Sequence, residues 1–242
     1  MPMQGAAGCI DGQALAALED LGLAAREGIA VAMRAEAVAA LPAARRALPP
    51  EETARIARFQ QPQDRLEREA AHGLLRHLLG GLLGRAPETL VLARDGFDRP
   101  FLPGADDLDL NLSHGAGWVA AAVARGGRLG VDVEGAARPV DWDSLAPHVM
   151  HPAELAAFRG LPAAARPARA LELWAVKEAC LKASGEGLSA APQRVHVVAE
   201  GEGWRLDHRG LSLRAGSCVL ADGARFAWAA EHGLRLRPLL VV

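Results

Sequence analysis

The sequence predicts an α+β protein made of two similar halves, and three observations carry that expectation. Helix-like segments give way to short strand-like runs twice along the chain. Asn111-Leu-Ser-His-Gly-Ala-Gly-Trp-Val-Ala-Ala and Val219-Leu-Ala-Asp-Gly-Ala-Arg-Phe-Ala-Trp-Ala-Ala each join an apolar strand, a polar Gly-Ala turn and an aromatic return strand. Length is the third: 242 residues, half of them hydrophobic, suffice for one large core or two modest ones. Halves packed this way place a site in the cleft between them.

In chain order, Asp11 to Leu23 has the Leu/Ala spacing of a helix, and Gly28 precedes a short apolar strand from Ile29 to Met33. Pro49-Pro50-Glu51-Glu52 starts a helix with acids in its first turn. Pro62 to Leu83 repeats Leu and Ala every three or four residues, with Gly80-Gly81 near its end. After Pro87 come strand-like runs: Leu90-Val-Leu-Ala, Leu108-Asp-Leu-Asn-Leu, Trp118 to Ala124 and Leu129 to Glu134, with Gly126-Gly127 as a tight turn. Helical spacing returns from Pro152 to Ser184, interrupted at Pro162 and Pro167, and four or five short strands close the chain through Pro238. We expect an N-terminal extension at 1–28, a first half at 29–127 and a second at 128–242.

Composition excludes several classes. A net charge of −2 without a basic run argues against a nucleic-acid binder or a membrane-surface protein. Cys9, Cys180 and Cys218 lie far apart, with no Cys-x-x-Cys pair, so neither a disulfide framework nor a zinc site is expected. Cys180 and Cys218 read as buried small hydrophobes. The first residues lack a basic and an apolar signal region, and no apolar run reaches membrane-spanning length, so the expectation is a soluble cytoplasmic protein.

The chemistry concentrates in two short segments. The chain has two lysines, Lys177 and Lys182, both in Trp174-Ala-Val-Lys-Glu-Ala-Cys-Leu-Lys182; its other basic side chains, histidines apart, are arginines. A lysine kept in an arginine-rich chain suggests a place for a compact point charge. In Gly130-Val-Asp-Val-Glu134, a strand's period of two puts Asp132 and Glu134 on one face. With Glu178 as a third carboxylate, they make a candidate clamp for a hard cation such as magnesium, or manganese. Each segment also has a plain reading: a strand with one solvated face, and an exposed Glu178/Lys182 ion pair four residues apart.

Together with Gly185-Glu-Gly-Leu188, these segments resemble the marks of the Sfp-type 4′-phosphopantetheinyl transferases, nearer the Trp/Lys-Glu-Ala subgroup. Asn111-Leu-Ser-His114, Arg99-Pro100 and the segment Arg58-Phe59 to Leu79, with Asp64 and Leu75-Arg76, extend the resemblance over about residues 29 to 230. The resemblance implies transfer of phosphopantetheine from coenzyme A to a serine of an acyl or peptidyl carrier protein, with release of adenosine 3′,5′-bisphosphate. It implies magnesium on Asp132, Glu134 and Glu178, with Glu178 also a base, and Lys182 on the pyrophosphate. It implies coenzyme A contacts from Ser113, His114 and Arg99, and a 3′-phosphate met by Arg55 and Arg68, with Arg58, Arg65 and Arg76 as rivals. Trp118 and Trp174 are expected in the core. Since one chain holds both halves, a monomer is expected. Two other readings of the same residues stand beside this one: a non-catalytic coenzyme A or carrier-binding module, and a magnesium-dependent pyrophosphate hydrolase.

Overall fold

Proline opens and glycine closes the two long helices. The computed structural model describes residues 8–10, 22–41, 48–137, 140–186, 191–208 and 210–241. Its helices are α1 (Ala35–Ala40), α2 (Pro50–Ile56), α3 (Pro62–Leu83), α4 (Trp142–Val149), α5 (Pro152–Arg159) and α6 (Arg166–Ser184). Pro62 sits in the first turn of α3 and Pro167 in that of α6, where a missing N–H costs nothing; Gly84 and Gly185 end these helices in the left-handed conformation. Pro167 thus starts a helix that the sequence led us to expect it to interrupt. Helix α4, held at its start by the Asp141 carboxylate accepting from the Ser144 amide, was not anticipated.

The strands are β1 (Gly8–Ile10), β2 (Glu27–Arg34), β3 (Ala93–Arg94), β4 (Pro100–Phe101), β5 (Leu108–Gly115), β6 (Trp118–Arg125) and β7 (Leu129–Glu134), followed by β8 (Val198–Glu200), β9 (Gly203–His208), β10 (Leu211–Val219), β11 (Arg225–Glu231) and β12 (Arg235–Val241). The run expected at Leu90 shortens to Ala93–Arg94. The helix expected over 11–23 falls mostly on residues outside those described, as do Gly187 and Leu188.

Two five-stranded sheets result, ordered β1-β12-β2-β6-β5 and β7-β11-β10-β9-β8. Each contains the same unit: a strand, a long helix, then a hairpin whose second strand pairs with the first. In the first half this is β2, α3, β5 and β6; in the second it is β7, α6, β10 and β11. The two segments that look alike in sequence contain the turns and return strands of these hairpins, although the second begins only at Val219, the last residue of β10, so Leu220 and Ala221 lie in the turn. The last strand leaves the second half and lies parallel to β2, with β1 parallel beyond it, so the first sheet draws on residues 235–241 and 8–10 as well.

Alternation on the strands sorts side chains into three cores. Leu74, Leu75, Leu78 and Leu79 of α3 pack on Ile29, Val31, Val119 and Val123. Val176, Ala179 and Cys180 of α6 pack on Leu213, Ala227 and Ala229. Between the sheets, alanines 30, 32, 120, 122 and 124 meet Val131, Val133, Phe226 and Trp228. The layers therefore run helix, sheet, sheet, helix. At about 25 cal/mol per Å² of apolar surface, three such cores are the main stabilising contribution. Among the described residues no helix is long and apolar enough to cross a membrane.

Candidate active site

The site begins with a close approach of strand and helix. A Cβ on Gly130 would stand 2.1 Å from the Ala179 carbonyl oxygen and 2.6 Å from the Ala183 amide nitrogen, so only glycine lets β7 lie this near α6. Asp132 shares the strand face of Gly130 and is paired with Ala227 on the α6 side of the sheet. Glu178 and Lys182, one helical turn apart, reach the same place.

Among the described residues no strand is hydrogen-bonded to the other edge of β7. Its outward amides are met by side chains of β5: Leu129 N–H donates to Asp109 Oδ2 at 2.7 Å, Val131 N–H to Asn111 Oδ1 at 2.9 Å and Val133 N–H to Ser113 Oγ at 3.3 Å. Two strands of period two thus interlock through side-chain rungs, which satisfy an edge buried between the halves. Asp109 and Asn111 were not among the expected site residues. Their signal lay in Leu108-Asp-Leu-Asn-Leu-Ser113, whose polar positions alternate in step with those of β7.

At the upper end of this ladder the charges converge. Lys182 Nζ donates to Asp132 Oδ1 at 2.7 Å, Ser113 Oγ at 2.8 Å and the Val131 carbonyl at 3.1 Å. The Ser113 hydroxyl gives its one proton to Asp132 Oδ1 at 2.9 Å, so Ser113 belongs to the carboxylate network instead of presenting the free donor expected for a ligand. Trp174 donates Nε1–H to Glu134 Oε1 at 2.8 Å and lines the cleft, so it is more than the core residue expected; Trp118 is buried and donates to Asp222. Burial and the Asp132 carboxylate push Glu178 up to about 7, against the Lys182 ammonium. Burial and Asp132 likewise push Glu134 up to about 7, against the Trp174 bond and Lys182.

As these side chains are placed, no three His, Cys, Asp or Glu residues among those described are gathered closely enough to hold a metal ion. The donor set nonetheless fits one. Asp132 Oδ2 and Glu178 Oε1 are buried without a hydrogen-bond partner, and burial with the Asp132 carboxylate raises both Glu134 and Glu178. Hard oxygen ligands with uncompensated negative charge suit a hard divalent cation.

All nine residues singled out in the sequence line one cleft of about 730 Å³: Arg55, Arg68, Arg99, Ser113, His114, Asp132, Glu134, Glu178 and Lys182. Burial, with Arg68 and Lys182 nearby, holds the His114 imidazole down at about 4, so it stands neutral. The far wall is basic. Arg68 lies 3.7 Å from the Phe59 ring centre with its Nε buried and unpaired, while Arg55 and Arg94 share Glu52 and the His72 ring. Arg76, a rival for anion binding, is buried in a 2.5 Å pair with Glu52 and faces inward. Arg94, His72 and Glu52 were not anticipated as a group, because three separate elements supply them.

Arg99 departs from expectation too. Its guanidinium reaches Asp109 Oδ2 at 2.6 Å, the Leu129 carbonyl at 2.7 Å and the Lys182 carbonyl, all within the protein. Lys177, the other lysine, is wholly buried away from the cleft, 2.6 Å from Glu154. A second cavity of about 420 Å³ lies behind Arg99, lined by Asp106, Asp107 and Arg128, and holds none of the convergent carboxylates.

Comparison with known proteins adds to this geometry. The chain is similar to 4′-phosphopantetheinyl transferase HetI of Nostoc sp., 33% identical over 142 residues, covering 57% of this chain and 60% of the relative. It is similar to 4′-phosphopantetheinyl transferase psf-1 of Bacillus pumilus, 28% identical over 116 residues and 48% of each chain. A 4′-phosphopantetheinyl transferase of Bacillus subtilis is 25% identical over 132 residues, 54% of this chain and 58% of that one. The matches span about half to three fifths of these relatives' length. Residues 37–125 match the family described as 4′-phosphopantetheinyl transferase, N-terminal, and residues 128–217 that of the 4′-phosphopantetheinyl transferase superfamily. The two matches meet at the turn between β6 and β7, where one half of the cleft ends and the other begins, and they take in every residue of the site just described: the chain belongs to the 4′-phosphopantetheinyl transferase superfamily.

Proposed function

We propose that this protein is an Sfp-type 4′-phosphopantetheinyl transferase that moves phosphopantetheine from coenzyme A to a serine of an acyl or peptidyl carrier protein. The observation that carries the reading is the meeting of Asp132, Glu134, Glu178 and Lys182 with His114 in one cleft whose far wall holds Arg55, Arg68 and Arg94. An anionic, diphosphate-bearing substrate suits a cleft with basic groups at one end and a carboxylate cluster at the other.

In this reading the carrier serine Oγ attacks the β-phosphorus of coenzyme A. The bond from that phosphorus to the bridging oxygen breaks, and adenosine 3′,5′-bisphosphate leaves. Asp132, Glu134 and Glu178 would hold magnesium, or manganese, which when bound neutralises charge on the pyrophosphate. Lys182 places a point charge beside the same oxygens and stabilises the transition state. Glu178, whose ionised form is a stronger base than an ordinary carboxylate because burial and Asp132 raise it to about 7, takes the serine proton directly or through water. Neutral His114 offers one N–H to the diphosphate. Arg55 and Arg68 receive the 3′-phosphate, with Arg94 beside them. The protein acts as a cytoplasmic monomer whose halves divide near residue 128, with the last strand at 235–241 crossing back into the first sheet, and a stable oligomer on size exclusion would refute the monomer.

The test is intact mass of an apo carrier protein after incubation with this protein, coenzyme A and magnesium, beside a chelator control. A phosphopantetheine-sized gain that chelator abolishes is expected. Splitting of coenzyme A without a carrier would identify a hydrolase instead, and binding without any splitting a non-catalytic module.

A further inference from the structure

Arg99 lines the cleft, yet its guanidinium is taken up by acceptors inside the protein. Three acceptors surround its guanidinium, and each belongs to a different part of the site: Asp109 of β5, the Leu129 carbonyl of β7 and the Lys182 carbonyl of α6. Its side chain is 9% exposed, and Asp109, the charge that balances it, is 15% exposed. The Lys182 carbonyl in the last turn of α6 accepts the Gly185 amide at 3.2 Å, and a cation on its second lone pair complements the negative end of the helix dipole.

We propose that Arg99, held by Asp109, is a positioning residue for Lys182: it ties the last turn of α6 to β5 and β7, so that the Lys182 ammonium stands at Asp132 and Ser113. The proposal rests on the transfer reading above for its kinetic consequences only. Lys182 is anchored at both ends. Its carbonyl accepts from Arg99, while its ammonium donates to Asp132 Oδ1, Ser113 Oγ and the Val131 carbonyl. Without Arg99 the Lys182 carbonyl keeps only its local Gly185 cap, so the helix end loses its tie to β5 and β7 and the ammonium shifts with it. Displacement of a catalytic group by about 1 Å costs on the order of a hundredfold in rate. Asp109 has a second task, accepting the Leu129 amide at 2.7 Å, so one carboxylate sets both the register of β7 and the direction of Arg99. A planar fork is needed because the three acceptors diverge; an ammonium in this place would not span them.

The two-lysine composition provides a direct assay. Protein labelled with ¹³C at lysine Cε has two side-chain signals, from Lys177 and Lys182. In Arg99→Gln the Lys182 signal is expected to move or broaden while that of Lys177 stays. With apo carrier, kcat should fall at least tenfold and KM for coenzyme A change less than twofold. Asp109→Asn preserves shape and an acceptor for Leu129 N–H; it should reproduce both effects more weakly and carries the test if Arg99→Gln does not fold. Three results would overturn the proposal: a KM for coenzyme A raised tenfold with kcat retained, which marks Arg99 as a phosphate ligand; movement of both lysine signals, which marks general loosening; or no change in signals or kinetics. A wild-type protein inactive with every carrier would refute the transfer reading and leave the signal test standing.

Discussion

Replacing Lys177 by methionine should destabilise the protein by about 3–5 kcal/mol while leaving the cleft chemically intact, because the two lysines serve different ends. Lys177 is fully buried. Its ammonium lies 2.6 Å from Glu154 Oε2 and donates to the carbonyls of Val149 at 2.9 Å, Pro192 at 3.0 Å and Val195 at 2.7 Å, so three protons serve four acceptors. Glu154 in turn accepts from the His151 amide at 2.8 Å and the Val197 amide at 2.8 Å. Methionine keeps the apolar stem and removes the charge, so the loss is not a packing loss. It strands a buried carboxylate and three carbonyls, and breaking a buried pair from one side costs about 3–5 kcal/mol. For a chain of this size each kcal/mol moves the melting temperature by about 2–4 °C, which gives a fall of about 6–20 °C. Thermal and urea unfolding followed by circular dichroism measure it. Adding Glu154→Gln to Lys177→Met should restore part of the loss, since the stranded charge is then gone. A single-variant loss under about 1 kcal/mol would refute the reasoning.

Three further outcomes follow from the site. Gly130→Ala should unfold or strongly destabilise the protein, because its methyl would overlap α6 backbone at 2.1 Å, whereas Gly115→Ala, with the Val133 carbonyl at 3.3 Å, should be much milder; equal melting temperatures would contradict the close approach. Glu134 and Glu178, both pushed up to about 7, contribute stability that is full below the ordinary carboxylate range and is lost as pH rises from about 4.5 through 7. Metal-free protein should therefore lose this contribution between about pH 4.5 and pH 7, and magnesium should raise the melting temperature more at pH 8 than at pH 5.5; a metal effect that does not grow with pH would count against the clamp. Glu178→Gln should abolish transfer with the fold intact, and Lys182→Arg should cut turnover sharply by replacing a point charge with a fork; near-normal intact-mass conversion by either variant removes that residue from the mechanism.

What the sequence could disclose depended on whether a feature is local. The period of two in Gly130-Val-Asp-Val-Glu134 and the four-residue step from Glu178 to Lys182 are properties of single elements, and both segments lie in the cleft. Helix α3 was legible for the same reason, since Pro62 and a Leu/Ala stripe define it without help from the rest of the chain. Arg99 was misleading because its neighbours Asp109, Leu129 and Lys182 come from three elements, and nothing in Asp98-Arg99-Pro100 says which way the guanidinium turns. The same holds for the Glu52 cluster, where Arg55, His72, Arg76 and Arg94 meet on one carboxylate. Lys177 and Glu178 adjoin in the sequence, but successive helical residues point about 100° apart, and one turns to the core as the other turns to the cleft.

That division of labour explains how the cleft tolerates its charges. Three carboxylates and one ammonium share a small, largely buried volume, and two of the carboxylates are raised to about 7 by burial and repulsion. Such a cluster pushes β7 and α6 apart, so it persists only where other contacts hold them together. The contacts are visible on both sides of it. Lys177 fastens the middle of α6 to the loops at Val149, Pro192 and Val195; Arg99 fastens its end to β5 and β7; and Asp109, Asn111 and Ser113 fasten β7 to β5. None of these bonds relieves the repulsion, which is left for Lys182 and for whatever cation enters. The frame is satisfied before the site is, and the unsatisfied oxygens of Asp132 and Glu178 are where binding energy remains to be gained.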